Sequence, residues 1–234
     1  MNIILLGAQG SGKGTQADML SQALRLKPCA SGELLREAIA KGTPLGQIAK
    51  PYYDRGDLVP DDLVAGMILE SLSNLGDAKG IILDGFPRNS VQAELLDRRF
   101  AEMGQRIDAV IYLEVPRDML FDRLAGRYVC QAHGHVWNIK THQPRIPGIC
   151  DYDGSALFHR SDDTPEKIAH RLDIFFHETI QLVDYYGARG KLIRVDGAGD
   201  IGEVNRAIRA QLALKLNLSG GMPLSAQEES PAGD

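Results

Sequence analysis

Cysteine is scarce in this chain: Cys29, Cys130 and Cys150 are the only three among 234 residues. So sparse and odd a count does not build a disulfide scaffold, and it points to a reducing compartment, the cytoplasm. Long apolar runs are missing as well. None approaches the roughly 20 residues that span a bilayer, so no membrane partner is expected. The opening residues, Met1-Asn2-Ile3-Ile4-Leu5-Leu6, carry no basic segment and run straight into glycines. They predict a strand rather than a leader. Positive charge is in deficit, with 26 Lys and Arg against 31 Asp and Glu, a net charge of −5. That argues against nucleic acid as a bulk polyanionic partner. It does not exclude a site for a small polyanion, because net charge says nothing about local fields. No internal repeat is visible.

What remains is an ordinary globular composition, 44% hydrophobic and 24% charged. The length corresponds to between one and two domains at roughly 150 residues each. Short runs rich in Ile, Leu and Val at residues 2–6, 80–83, 109–115 and 191–195 read as strands buried on both faces. Helical patterns alternate with them. Ala17, Leu20 and Leu24 recur at helical spacing through residues 15–26. Another helix begins near Pro165, with Thr164 as N-cap and Ile168, Leu172 and Phe175 or Phe176 on one face. The alternation predicts an α/β fold with a parallel sheet covered by helices. Two segments break the rhythm. Residues 31–59 read as helices without a strand, and residues 128–163 as a small irregular or β insert. The tail, residues 217–234, has the composition of a disordered segment.

Gly7-Ala8-Gln9-Gly10-Ser11-Gly12-Lys13-Gly14-Thr15 lies between a predicted strand and a predicted helix. Glycines let backbone N–H groups turn toward a phosphate, the helix N-terminus adds partial positive charge, and Lys13 reaches the terminal phosphates. The P-loop pattern holds through Gly12-Lys13, but Gly14 stands where Ser or Thr is usual and Thr15 follows one residue later. Further on, Ile81-Ile82-Leu83-Asp84-Gly85-Phe86-Pro87-Arg88 ends a strand in a carboxylate and a turn. Sheet ligands bind at the carboxyl ends of strands. Asp84 is thus placed to hold a hydrated Mg²⁺, and Arg88 to clamp a phosphate with its planar fork. Taken alone, an ordinary surface turn reads equally well. Arg123 and Arg127, four apart, would share a face of one helix. Alone, they and Arg160 and Arg171 read as solvated surface arginines.

Gly-Lys-Gly-Thr marks a subtype, and here the chain resembles the adenylate kinase family of nucleoside monophosphate kinases. That family carries G-x-P-G-x-G-K-G-T, with Gln9 here in place of Pro. Asp84-Gly85-Phe86-Pro87-Arg88, with Gln92 four residues on, resembles its monophosphate signature, and Ser31-Gly32-Glu33-Leu34-Leu35-Arg36 resembles T-G-D-x-L-R. Arginines in the pattern R-x-x-x-R before the insert, and R-x-D-D with a helical Arg after it, match too. The resemblance covers about residues 1–214 and implies a P-loop sheet of about five strands. The core would comprise residues 1–30, 60–126 and 164–216, the AMP-binding domain residues 31–59, and the lid residues 127–163.

The implied reaction is Mg²⁺-dependent transfer from ATP to AMP giving two ADP, by a monomer. Carried over, the ATP side would comprise Gly10, Ser11, Gly12, Lys13, Gly14, Thr15, Arg123, Arg127, Val136, Trp137 and Gly199. The AMP side would comprise Ser31, Arg36, Asp57, Leu58, Val59, Gly85, Phe86, Pro87, Arg88, Gln92, Arg160 and Arg171, with Gln92 reading the base edge. Asp84 and Thr15 would reach Mg²⁺ through water. Lys13, Arg88, Arg123, Arg160 and Arg171 would carry the reaction as fixed cations, with no general base. Rival readings are a GTP:AMP or pyrimidine monophosphate kinase, a nucleotide-dependent switch, and a zinc-dependent interaction module.

The insert resembles the long lid of bacterial-type members. It holds Cys130-x₂-His133 and, after 16 residues, Cys150-x₂-Asp153. Two short knuckles of Cys, His and Asp can close one tetrahedral site for structural Zn²⁺, Co²⁺ or Fe²⁺. His135 is a rival ligand to His133, and a metal-free lid held by hydrogen bonds is the alternative. Trp137 is expected on the ATP adenine, in the lid core, or in both roles at once. Cys29 reads as a small buried residue, and His170 and His177 as unremarkable surface or boundary groups.

Overall fold

The computed structural model describes residues 1–73 and 76–217. The expected tail beyond Asn217 lies outside the described residues. The strands are β1 (Asn2–Leu6), β2 (Lys27–Ala30), β3 (Ile81–Asp84), β4 (Ala109–Glu114), β5 (Arg127–Cys130), β6 (Val136–Asn138), β7 (Leu157–Phe158) and β8 (Leu192–Asp196). Five of them form a parallel sheet in the order β2-β3-β1-β4-β8. The other three form an antiparallel sheet in the order β6-β5-β7, wholly within the insert.

The helices are α1 (Lys13–Leu24), α2 (Ser31–Ala40), α3 (Pro44–Arg55), α4 (Asp61–Ser73), α5 (Ser90–Glu102), α6 (Arg117–Ala125), α7 (Pro165–Ile174), α8 (Gln181–Ala188) and α9 (Ile201–Lys215). Strand alternation divides the core between the two faces of the large sheet. Ile3 and Leu5 pack with Ala17 and Leu20 of α1 and Val204, Ile208 and Leu212 of α9. Ile4 and Leu6 point the other way, into a cluster with Leu96 and Phe100 of α5, Leu172 of α7 and Leu182 of α8. Every side chain of β1 is buried, as expected for the centre of a doubly covered sheet.

Thr164 caps α7 as expected: its Oγ1 accepts from Lys167 N at 3.4 Å, and Pro165 follows. The helix then widens into a π-helical stretch, Phe175–Thr179, where Ile180 N donates to Phe175 O at 2.9 Å. That turns Phe175 into the core. Between β2 and β3 the chain makes the α2–α3 hairpin. Gly46 lets these helices touch, because a Cβ there would fall 2.0 Å from Ala38 O. The sheet therefore presents the loops after β1, β3, β4 and β8 at one edge, with the hairpin and the small sheet as excursions from it.

Candidate active site

The loop after β1 takes backbone conformations that suit glycine. Gly10 and Gly12 have φ of 85° and 94°. At Gly10 a Cβ would also meet Leu120 O of α6 at 3.1 Å. Ser11 is buried, and its hydroxyl has no protein partner. Lys13, first residue of α1, donates from Nζ to Ala8 O at 3.0 Å and lies 4.0 Å from Asp84 Oδ1. Burial lowers the pKa of Lys13; Asp84 opposes this, while Arg88, Arg127 and Arg171 add to it. Four cations from separate segments thus share one field with the carboxylate of Asp84 at the end of β3.

The turn after β3 is tied to the start of α2. Gly85 O accepts from Ser31 Oγ and from Arg88 Nε, each at 2.8 Å. Arg88 is half-buried, and among the described residues no carboxylate lies within ion-pair distance of it. Burial lowers its pKa, and the neighbouring Arg171 and Arg36 lower it further against the pull of Asp84. Arg36 is half-buried as well. Gln92 is 1% exposed and hydrogen-bonded at both ends of its amide: Oε1 accepts from Arg88 N at 2.7 Å, and Nε2 donates to Asp61 at 2.6 Å. Phe86 packs in the core, Pro87 is buried beside it, and Val59 joins the same apolar cluster. Leu58 is half-buried. Asp57 turns its carboxylate to Arg55, at 2.6 Å, and to His170 of α7, at 2.9 Å. His170 is thus a boundary group, a contact between α7 and the segment that follows the hairpin.

The expected pairing of Arg123 with Arg127 on one helical face is corrected. α6 ends at Ala125, Gly126 follows, and Arg127 begins β5. Arg123 donates to the carbonyls of Gly197 and Ala198 at 3.0 and 3.2 Å, on the loop that also carries Gly199. Arg127 instead grips Asp163 with two hydrogen bonds of 2.8 and 2.6 Å. Arg160 binds Asp162 the same way, at 2.8 and 2.6 Å. Arg171 reaches Asp162 Oδ2 at 3.0 Å and Asp163 Oδ1 at 3.3 Å. Three guanidiniums therefore share two buried carboxylates, leaving excess positive charge facing Lys13 and Arg88. Burial lowers the pKa of Arg171, yet an arginine stays charged at any ordinary pH. Tyr53 of α3 touches Arg160 at 3.4 Å.

A model of the adenylate kinase family matches residues 5–191. An adenylate kinase of Thermodesulfovibrio yellowstonii is 46% identical over 215 residues, covering 92% of this chain and all of the relative. One from Carboxydothermus hydrogenoformans is 43% identical over 212 residues, 91% of this chain and 99% of the relative. One from Staphylococcus aureus is 41% identical over 208 residues, 89% and 97%. The chain belongs to the adenylate kinase family. Among the described residues no helix is long and apolar enough to cross a membrane.

The insert gathers four ligand-type groups. Cys130, His135, Cys150 and Asp153 place one donor atom each within 4.8 Å of one another. His135 Nδ1 lies 3.4 Å from both sulfurs and 3.2 Å from Asp153 Oδ2. These spacings approach the edge of about 3.5 Å expected for a tetrahedron with zinc–sulfur and zinc–nitrogen bonds. Of the two rival histidines, His135 is the one beside the sulfurs. The turn through residues 130–134 leaves His133 67% exposed, with its Nδ1 2.9 Å from Asp153 and its ring tilted against that of His135. Asp153 is held far below the usual carboxylate range by Ser155 and then by His133. Burial pushes the Cys150 thiol up, so a thiolate there calls for a cation.

Trp137 takes the expected place in the lid core. It is 3% exposed, stacks on His142 at 4.6 Å and packs with Cys130 and Cys150. Its neighbour Val136 is half-exposed on the other face of β6.

Two residues of consequence gave no sequence signal. Asp61 looks like an acidic first-turn residue of α4, yet it binds Gln92 and Asn89. Asn138 is buried at the root of the insert, where its Nδ2 donates to Arg123 O at 3.0 Å.

Proposed function

We propose that the chain catalyses reversible transfer of the γ-phosphoryl group of ATP to AMP, giving two ADP. The observation that carries this reading is Arg88, a half-buried cation with no carboxylate at ion-pair distance among the described residues, beside Lys13 and Arg171. Such charge calls for an anionic guest. A loose phosphoryl-transfer transition state spreads charge over peripheral oxygens, and fixed cations in a closed site stabilise it without covalent chemistry.

In this reading residues 10–15 cradle the ATP phosphates through backbone N–H groups and Lys13. Arg127, Arg160, Arg171 and Arg88 surround the transferred group. Arg123 and the loop bearing Gly199 take the nucleoside end of the donor, together with Val136. Ser31, Arg36, the backbone of residues 57–59 and the turn 85–88 receive AMP, and Gln92 reads its base. Asp84 and Thr15 offer the oxygen donors that suit a hydrated Mg²⁺, which accompanies ATP and neutralises its phosphates. The arm 31–59 and the lid 127–163 close over the core and exclude water as acceptor. In the lid, Cys130, His135, Cys150 and Asp153 would hold a structural Zn²⁺, which adds stiffness and leaves no open position for chemistry. The protein acts as a cytoplasmic monomer.

The test is ADP formation from ATP, Mg²⁺ and a panel of monophosphates. Turnover with AMP at least about tenfold above any other acceptor is expected, given the discrimination one well-bonded base edge supplies. Turnover on a pyrimidine monophosphate instead of AMP would overturn the reading.

A further inference from the structure

The side-chain amide of Gln92 is held at both ends by groups that cannot exchange roles. Arg88 N is a backbone N–H and can only donate, so the atom 2.7 Å from it is the carbonyl Oε1. Asp61 offers a carboxylate, an acceptor, to Nε2 at 2.6 Å. The same Asp61 accepts from Asn89 Nδ2 at 3.1 and 3.3 Å, and Asn89 in turn accepts Gln92 N at 2.8 Å as the cap of α5. Flipping the amide would set N–H against N–H at one end and oxygen against oxygen at the other. Two hydrogen bonds would be lost in a site where Gln92 is 1% exposed.

We propose that Asp61 is a positioning residue that fixes base specificity by locking this amide in one orientation. The inference rests on the reading of Gln92 as the group facing the acceptor base. In the locked orientation Gln92 keeps one N–H and one carbonyl lone pair. That pair complements a 6-aminopurine, whose edge carries a ring-nitrogen acceptor and an amino donor. A 6-oxopurine presents the reverse, a ring N–H donor and a carbonyl acceptor. A free glutamine would serve both by flipping, whereas this one serves only the first. The discrimination thus comes from a carboxylate that need not touch the substrate.

The test compares kcat/KM for AMP and IMP as acceptors in the wild type, Asp61→Asn, Asp61→Ser and Gln92→Leu. Asparagine and serine can donate as well as accept, so either releases the Asp61 end of the lock and leaves only the Arg88 N–H end. We expect the AMP preference to fall about tenfold in both, through a lower KM for IMP, with kcat for AMP nearly unchanged. The serine variant serves if the asparagine variant does not fold. Gln92→Leu should abolish most of the preference. If Gln92→Leu keeps the wild-type preference, Gln92 does not read the base and the underlying assignment fails. If Gln92→Leu loses it while both Asp61 variants retain it, the lock alone is overturned. A merely structural role for Asp61 would lower activity on both acceptors in proportion and leave the ratio fixed, which likewise rejects the proposal.

Discussion

Lys13 and Arg88 stand beyond strands β1 and β3, whose apolar side chains are buried under helices on both faces, while in the lid Cys130, Cys150 and Trp137 are themselves the buried apolar centre. In the first region the scaffold and the chemistry are separate sets of residues. In the second they coincide. A cationic side chain can therefore be removed from the core site without unfolding it. A donor atom removed from the lid takes the local fold with it. Small domains with little core depend on such staples.

The largest effect tests the first half of this contrast. Arg88→Met should lower kcat by at least about 10³-fold, the scale on which an arginine stabilises phosphoryl transfer. Far-UV circular dichroism and melting should stay near wild type, because the Arg88 side chain contributes one hydrogen bond, to Gly85 O. Turnover within tenfold of wild type would remove Arg88 from the reaction. Normal chemistry lost together with the fold would break the separation of scaffold from site.

The second half is tested at the proposed metal site of the lid. Trp137 is the chain's single tryptophan, so its emission reports on the lid alone. Protein as prepared should hold about one zinc per chain, and stripping it with a chelator should shift that emission to the red. Helical dichroism from the core should barely change, while turnover falls as the lid loses shape. His135→Ala should lose the metal and His133→Ala should keep it. The opposite result would restore His133 as the ligand and require the turn after Cys130 to rearrange.

The α2–α3 hairpin lies between these extremes, since it depends on a backbone contact. Gly46→Ala should force the helices apart where a Cβ meets Ala38 O, at a cost of about 1–3 kcal/mol typical of overpacking. A fall in Tm with a higher KM for AMP and an unchanged KM for ATP is expected. Equal changes in both constants would show that the hairpin does not act on one substrate alone.

The same contrast governs what the sequence reveals. The glycine loop and the Asp84–Arg88 turn are contiguous, so the residues that act together are read together, and Thr164 before Pro165 announces its helix. The lid cluster depends on which way a side chain points. His133 and His135 are two residues apart, and only the tight turn at Gly134, with φ of 74°, decides that His135 faces the sulfurs. The alternation of β6 similarly sends Trp137 inward and Val136 outward, and a three-residue strand carries no pattern from which to choose. Arg123 and Arg127 match a helical spacing, but the helix stops between them. Asp61 acts through Gln92, 31 residues away in sequence, a pairing that no local pattern announces.

The smallest effect belongs to the exposed joint between the hairpin and α7. The Asp57 carboxylate is held below its ordinary range first by its hydrogen bond with His170 and then by Arg55. A group depressed on folding stabilises the folded state above its unfolded pKa, about 4, and loses that contribution as pH falls through the lowered folded value. Because Asp57 is largely solvated and its partners are exposed, screening limits the contribution to about 0.5 kcal/mol or less. Asp57→Asn should therefore lower Tm slightly at pH 7, less at pH 3, and hardly at all in strong salt. Arg127 and Asp163 pair the same two charge types, but Asp163 is fully buried, so their interaction should resist salt more strongly. An Asp57→Asn penalty equal at pH 3 and pH 7 would mean that the joint is held by the shape of the side chain rather than by its charge.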